Sequence, residues 1–236
     1  MNVIKHQLTT GDGYVIIEKL IPINLIDNIL EKQDRLYPVR ASSSNKKYAE
    51  LDNIKNLPNI SVWWSQLVMD WPEVIHINNL LQPYILPHMP KSIWYNSDIV
   101  TLEPFSTYIN PHIDTPHRFK NYNYNKNLLG IQCIVALSDL DKDTGATGIL
   151  PKSQIKDFNI DLCYQGMYTT MFKDKCIQPK LSKGSVLFYN CRLLHSTMPN
   201  PQNKKRPALL LNYLDGSIID DVKKLDNIWA SNGIST

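Results

Sequence analysis

From Ile93 onward the chain breaks into short extended runs separated by Pro, Gly, Asn and Asp, and this punctuation restricts the possible folds more than any other feature. The runs are Ile93–Leu102, Phe105–Ile109, Ile131–Leu137, Gly148–Leu150, Tyr168–Met171, Val186–Tyr189, Leu193–Thr197 and Ala208–Leu214. About eight short strands with turn signals between them predict a sandwich or a jelly-roll barrel. Asp143-Thr144-Gly145 reads as a hairpin turn, because glycine supplies the positive φ such turns need. Lys183-Gly184 precedes the next strand in the same manner.

The residues before Ile93 have a different texture. Gly13–Leu20 is a β-branched run and reads as a strand. Pro22 then opens a helical pattern carried by Leu25, Ile26, Ile29, Leu30 and Leu36, with Asn24 as the N-cap. Ala41–Lys47 is a polar loop. A second helical region is expected over about Ser61–Leu81, with Trp63, Trp64, Leu67 and Val68 on its apolar face. Pro72 interrupts that region, so two helices are expected there. The two tryptophans suit packing against a sheet or stacking on a ligand. The expected fold class is therefore mostly β with flanking helices, built on a double-stranded β-helix (jelly-roll, cupin-like) barrel. One domain is expected over 1–236: a helical part to about 92, a jelly-roll core over about 93–214, and a tail over 215–236.

Composition excludes several classes of partner. The 236 residues are 43% hydrophobic and 20% charged, as in an ordinary globular chain able to bury a core. A net charge of +3 is too small to argue for nucleic acid or a membrane surface. No apolar stretch approaches the roughly 18–20 residues of a membrane span, and MNVIKHQLTTGDGY lacks the apolar segment of a signal peptide. Cys133, Cys163, Cys176 and Cys191 form no CxxC pair, which points to a reducing, cytoplasmic setting. Cys191, close to His195, is either a thiolate ligand or nucleophile, or a small buried residue at a strand end.

The chemistry concentrates in His112-Ile113-Asp114, His195 and Arg206. HxD alone is a weak signal. Side chains two apart on a strand point to one face, however, so His112 and Asp114 can both face a barrel interior. His195 sits in a second strand-like run, Leu193–Thr197. Two imidazoles and one carboxylate occupy one face of an octahedral metal and leave the opposite face open, as in non-haem Fe(II) oxygenases. His117 is the rival ligand. Arg206, eleven residues past His195, is either a surface residue beside Lys204 and Lys205 or a barrel-interior fork that grips a carboxylate. Thr197, two past His195, projects to the same side and can donate to that carboxylate.

Three segments then resemble the phytanoyl-CoA dioxygenase family of Fe(II)/2-oxoglutarate-dependent oxygenases: NPHIDTPH, QCIVALSDLDKDTGATGILPKSQ and SKGSVLFYNCRLLHSTMPNPQNKKRPALLLNYL. The opening GYVIIEKLIPINLIDNILEK is similar to that family's N-terminal strand and helix. The resemblance implies that His112, Asp114 and His195 bind iron. It implies that Thr197 and Arg206 hold the distal carboxylate of 2-oxoglutarate, with Gln132 as a further co-substrate contact. Two departures stand out. Pro151-Lys152-Ser153-Gln154 stands where the family often reads Pro-Gly-Ser-His, and the segment between Asp114 and Ile131 is this chain's own. Related halogenases replace the carboxylate ligand with a small residue, so Asp114 favours hydroxylation or another oxidation over halogenation.

The expected enzyme uses Fe(II), 2-oxoglutarate and dioxygen to hydroxylate a small-molecule substrate, releasing succinate and carbon dioxide. The competing classes are a non-catalytic jelly-roll binding or structural module and a metal hydrolase or isomerase on a cupin-like barrel. Arg118–Asn127 reads as a mobile lid over the metal or an inert surface loop, and the tail bearing Leu225, Ile228 and Trp229 as a docking helix or a dimer contact. A monomer or a homodimer is expected.

Overall fold

The structure is a computed structural model that describes residues 3–36, 63–106, 110–123, 125–164 and 166–231. Helices α1 (Val3–Thr9) and α2 (Ile23–Leu36) flank strand β1 (Tyr14–Ile17). Strand β2 (Trp63–Leu67), helix α3 (Pro72–Ile85) and the long strand β3 (Ser92–Leu102) follow. Then come α4 (Lys120–Asn123), β4 (Gly130–Ala136), β5 (Thr147–Ile149), α5 (Ile160–Tyr164) and α6 (Thr169–Lys175). The chain closes with β6 (Val186–Asn190), β7 (His195–Thr197), β8 (Arg206–Asp215) and α7 (Ile219–Ser231).

Six strands pair in the order β1-β6-β4-β8-β3-β2, and β5 pairs with β7 in a second sheet. Every one of these pairings is antiparallel. Single bridges, His112 to His195 and Ile149 to Ile177, widen the second sheet on both sides.

Strand β4 explains the layering, because all seven of its residues are buried. Successive side chains on a strand point to opposite faces. Ile131, Cys133 and Val135 therefore face outward and pack with Phe188, Leu209 and Leu211 against Ile26 and Ile29 of α2 and Ile77, Leu81 and Ile85 of α3. Ile134 and Ala136 face inward and meet Leu187, Tyr189, Ala208 and, from the second sheet, Ile149. Fully burying one such aliphatic side chain contributes about 1.5–3 kcal/mol, so α2 and α3 are held to the sheet by area. Two polar links set their register: Gln33 donates to Thr101 Oγ1 at 2.7 Å, and the Tyr213 hydroxyl donates to Asn78 at 2.8 Å.

Several local expectations are corrected. Trp63–Leu67 is a strand, registered against β3 from Trp63–Leu102 to Leu67–Asp98, and not part of a helix. One helix follows it, beginning at Pro72, because Trp71 before the proline is extended (φ −79°, ψ 127°). Proline is well suited to a first helical turn, so Pro72 starts a helix and does not divide one. Asn24 lies inside α2, which begins at Ile23, and does not cap it. Tyr168–Met171 leads into α6, since Phe172 is buried and Tyr168 packs edge-on to Phe158 at 5.3 Å. Phe105 is exposed, with φ 58°, and belongs to no strand. The Asp143–Gly145 turn joins β4 to β5 across the two sheets and closes no hairpin. The Ala41–Lys47 loop lies outside the described residues.

Candidate metal centre

His112 and His195 exchange backbone hydrogen bonds in both directions, at 2.9 and 3.0 Å. Residues directly opposite in an antiparallel pair put their side chains on one face, and the two imidazoles lie 4.4 Å apart between centroids. The amide of Asp114 donates to the Cys191 carbonyl at 2.8 Å, continuing the same extended segment. Asp114 thus shares the face of His112. One ligand atom from each of the three residues lies within 4.8 Å of the others, and no further such group occurs among the described residues. His112 Nε2 is 3.9 Å from Asp114 Oδ1, and His195 Nε2 is 3.4 Å from Asp114 Oδ2.

Backbone carbonyls set which imidazole nitrogens are free. His112 Nδ1 lies 2.8 Å from the Asn110 carbonyl, and His195 Nδ1 lies 2.9 Å from the Leu193 carbonyl. A carbonyl only accepts, so each Nδ1 carries the proton and each Nε2 presents its lone pair to the space beside Asp114. Burial, then the neighbouring His195, holds His112 down at about 4, so it stays neutral at neutral pH. This arrangement of outer hydrogen bonds orients metal-binding histidines.

Tyr189 is the residue sequence reasoning missed. From β6 its hydroxyl reaches 3.0 Å from Asp114 Oδ2, to which it donates, and 3.2 Å from His195 Nε2. The alternation of Val186–Tyr189 fixes only which face Tyr189 takes. The other two readings near the centre resolve toward structure. Cys191 is buried, its thiol is pushed well up by burial, and its sulfur lies 3.6 Å from Asn212 Oδ1, outside the ligand group. His117 is fully buried and holds the Tyr122 carbonyl at 2.9 Å through Nδ1; it too stands outside the ligand group.

Arg206 is 5% exposed, which overturns the surface reading. Its Nη2 donates to the Gly145 carbonyl at 2.5 Å, while Nε is buried with no hydrogen-bond partner. Among the described residues it has no ion-pair partner, and burial alone lowers it to about 10. Gly145 makes this contact possible: its φ is +75°, and a Cβ there would sit 2.8 Å from the Pro199 carbonyl oxygen. Thr197 faces the same side as His195 and lies opposite Thr147 in β5. Gln132 is buried, with Oε1 unpartnered, and is level with Tyr189 and Asn212. Arg206 lies six residues along β8 from Asn212. The structure therefore places Gln132 at the Tyr189 end and does not bring it beside Arg206.

The departing segments have structural roles. Lys152 holds the left-handed conformation (φ 62°) at the position where the family often has glycine. Gln154 donates to the Gly11 carbonyl, and the buried Arg192 donates to the carbonyls of Gln154 and Lys156. The expected lid is tied down in its first part. Phe119 is buried with Leu214 and Val222, Arg118 pairs with Asp226, Tyr95 also donates to Asp226, and Tyr122 donates to Asp221. The tail is thus a docking helix, α7, laid against the segment that follows Asp114.

Comparison with known proteins agrees with this geometry. None of the curated proteins matches the chain. Solved structures of similar fold include SnoN, a non-heme α-ketoglutarate-dependent epimerase from nogalamycin biosynthesis (TM-score 0.66, 16% identity, covering 90% of this chain and 82% of that one). AviO1 from Streptomyces viridochromogenes Tue57 is similar at TM-score 0.63 and 14% identity, over 90% and 94% of the two chains. HygX from Streptomyces hygroscopicus, solved with nickel and 2-oxoglutarate, is similar at 0.65 and 10%, over 92% and 88%. At these identities the likeness is one of fold. Residues 10–208, most of the chain and all of the candidate centre, match the phytanoyl-CoA dioxygenase family, and the chain belongs to it.

Proposed function

We propose that the protein is an Fe(II)/2-oxoglutarate-dependent dioxygenase that hydroxylates a small molecule, with His112, Asp114 and His195 as the iron ligands. The observation that carries the reading is the buried guanidinium of Arg206, which has no ion-pair partner among the described residues and shares the face of β8 with Ala208, which clusters with Tyr189 beside the two-histidine, one-carboxylate group. A buried cation without a counter-charge is strongly unfavourable, and a bound carboxylate supplies that charge. The two facing sheets support a double-stranded β-helix core, read as one oxygenase domain over 1–236.

Iron with 2-oxoglutarate and dioxygen supplies the oxidising chemistry, in which the co-substrate is decarboxylated to succinate and carbon dioxide as the substrate is oxidised. The protein's part is placement. His112 and His195 present Nε2 atoms oriented by the Nδ1 contacts to the Asn110 and Leu193 carbonyls, and Asp114 completes one face. Arg206 grips the distal carboxylate of 2-oxoglutarate bidentately, and Thr197 donates its hydroxyl to the same group. Gln132, at the Tyr189 end, would supply a further contact to 2-oxoglutarate. Retention of Asp114 favours hydroxylation over halogenation. Structural neighbours described as an epimerase and a carbocyclase mark other outcomes on this fold. Complexes of SnoN with a nogalamycin compound and of HygX with hygromycin B support a small organic molecule as substrate. No described helix is long and apolar enough to cross a membrane, and the free cysteines suit the cytoplasm.

The test is succinate release by the Fe(II)-reconstituted protein given 2-oxoglutarate and air. Arg206→Gln removes a charge-assisted contact worth about 1.5–3 kcal/mol, so KM for 2-oxoglutarate rises about 10–100-fold. Absence of both turnover and 2-oxoglutarate binding in the wild type overturns the reading.

A further inference from the structure

We propose that Tyr189 is a positioning residue of the metal centre, holding Asp114 by Oδ2 so that Oδ1 is the oxygen presented to the metal. The inference rests on His112, Asp114 and His195 being the ligand set. Its basis is a competition visible in the hydrogen bonds. The Tyr189 hydroxyl is 3.0 Å from Asp114 Oδ2 and 3.2 Å from His195 Nε2. His195 Nδ1 is committed to the Leu193 carbonyl, so both neighbours of the phenol are acceptors, and the phenol has one hydrogen to give.

A cation removes the ambiguity. Once it takes the Nε2 lone pair, Oδ2 is the one remaining acceptor for the O–H. A carboxylate held by one oxygen loses its freedom to rotate or to chelate through both. With Oδ2, 3.4 Å from His195 Nε2, engaged by the phenol, Oδ1, 3.9 Å from His112 Nε2, is the oxygen left for the metal. Tyr189 cannot swing away from this duty. It is 1% exposed, its backbone is paired with Tyr14 on one side and Gln132 on the other, and its ring packs among Leu187, Leu193 and Ala208.

The opposite role predicts the opposite sign. If the phenol merely fills the place a metal would take, it competes with the metal, and removing its hydroxyl tightens metal binding. Titration of metal-free wild type and Tyr189→Phe with Co(II), a redox-stable probe, distinguishes the two by calorimetry and by the visible absorption of the bound ion. Outer hydrogen-bond partners of metal ligands typically contribute about 10–100-fold in affinity. The expected result is a Kd for Co(II) weakened by that factor and an altered Co(II) absorption envelope, with the metal-free variant keeping a cooperative melt. Tyr14→Phe, on the neighbouring strand, leaves both readouts unchanged. Tyr189→Met fills the same space if the Phe variant does not fold. Equal or tighter Co(II) binding by a folded variant overturns the role of the phenol while leaving the ligand set standing. A wild type that binds no Co(II) overturns the ligand set and this proposal with it.

Discussion

At the scale of single residues, burial decides between readings that the sequence leaves level. Lys204 and Lys205 are exposed beside Arg206, yet the guanidinium is enclosed and donates to the Gly145 carbonyl. The same distinction applies to the cysteines. Cys133, Cys163 and Cys191 are buried, whereas Cys176 is half-buried. Burial pushes the Cys163 thiol up to about 11 and raises those of Cys133 and Cys191 well above the usual thiol range. Thiolate, not thiol, is the reactive form. Alkylation of the native protein at about pH 8 is therefore expected to mark Cys176 first, with the other three reacting on unfolding. Peptide mass mapping checks this, and early labelling of Cys191 would restore it as a reactive thiol.

At the scale of elements, α7 and the segment after Asp114 form one unit. Arg118 and Tyr95 both bond Asp226, with the Arg118 and Asp226 side chains 17% and 19% exposed. Asp226→Ala removes an acceptor that these two donors share in a partly dry setting. A loss of about 1–3 kcal/mol in unfolding free energy is expected, with faster amide exchange over Lys120–Asn123. A variant as stable as wild type by urea melt, and as protected there, would show that the pair contributes nothing. The family match stops at residue 208, so α7, over Ile219–Ser231, lies outside it. Strands with short apolar runs and flanking turns, β3, β4, β6 and β8, were legible in the sequence. Trp63–Leu67 was not, because five residues with only Trp63, Trp64 and Leu67 apolar fit either period and their pairing with β3 is a tertiary fact. Tyr168–Met171 failed for the same reason in reverse. The candidate cluster was legible because HxD lies within three consecutive residues and Arg206 follows His195 at a recognisable offset. Tyr189 was invisible because its partner, Asp114, is 75 positions away.

At the scale of the whole molecule, a fully buried neutral histidine links stability to pH. His117 is held at about 4 by burial, against about 6.5 for an unfolded histidine. The unfolded chain then binds more protons than the folded one between these values. The part of the metal-free protein's stability that His117 contributes is fully present above about pH 6.5, falls as pH drops from there toward about 4, and is lost below. His112 contributes in the same direction. Urea melts across this range check the slope. His117→Gln, which keeps a donor for the Tyr122 carbonyl, should make it shallower; an unchanged slope would mean that His117 is protonated in the fold.

The central claim is that a two-histidine, one-carboxylate iron site and a buried arginine together bind one co-substrate. Anaerobic addition of 2-oxoglutarate to the Fe(II) protein tests it most directly. The account expects a weak visible metal-to-ligand charge-transfer band that saturates with 2-oxoglutarate, is absent in Asp114→Ala, and needs about 10–100-fold more 2-oxoglutarate in Arg206→Gln. A folded wild-type protein that binds Fe(II) but develops no band at any 2-oxoglutarate concentration would contradict it.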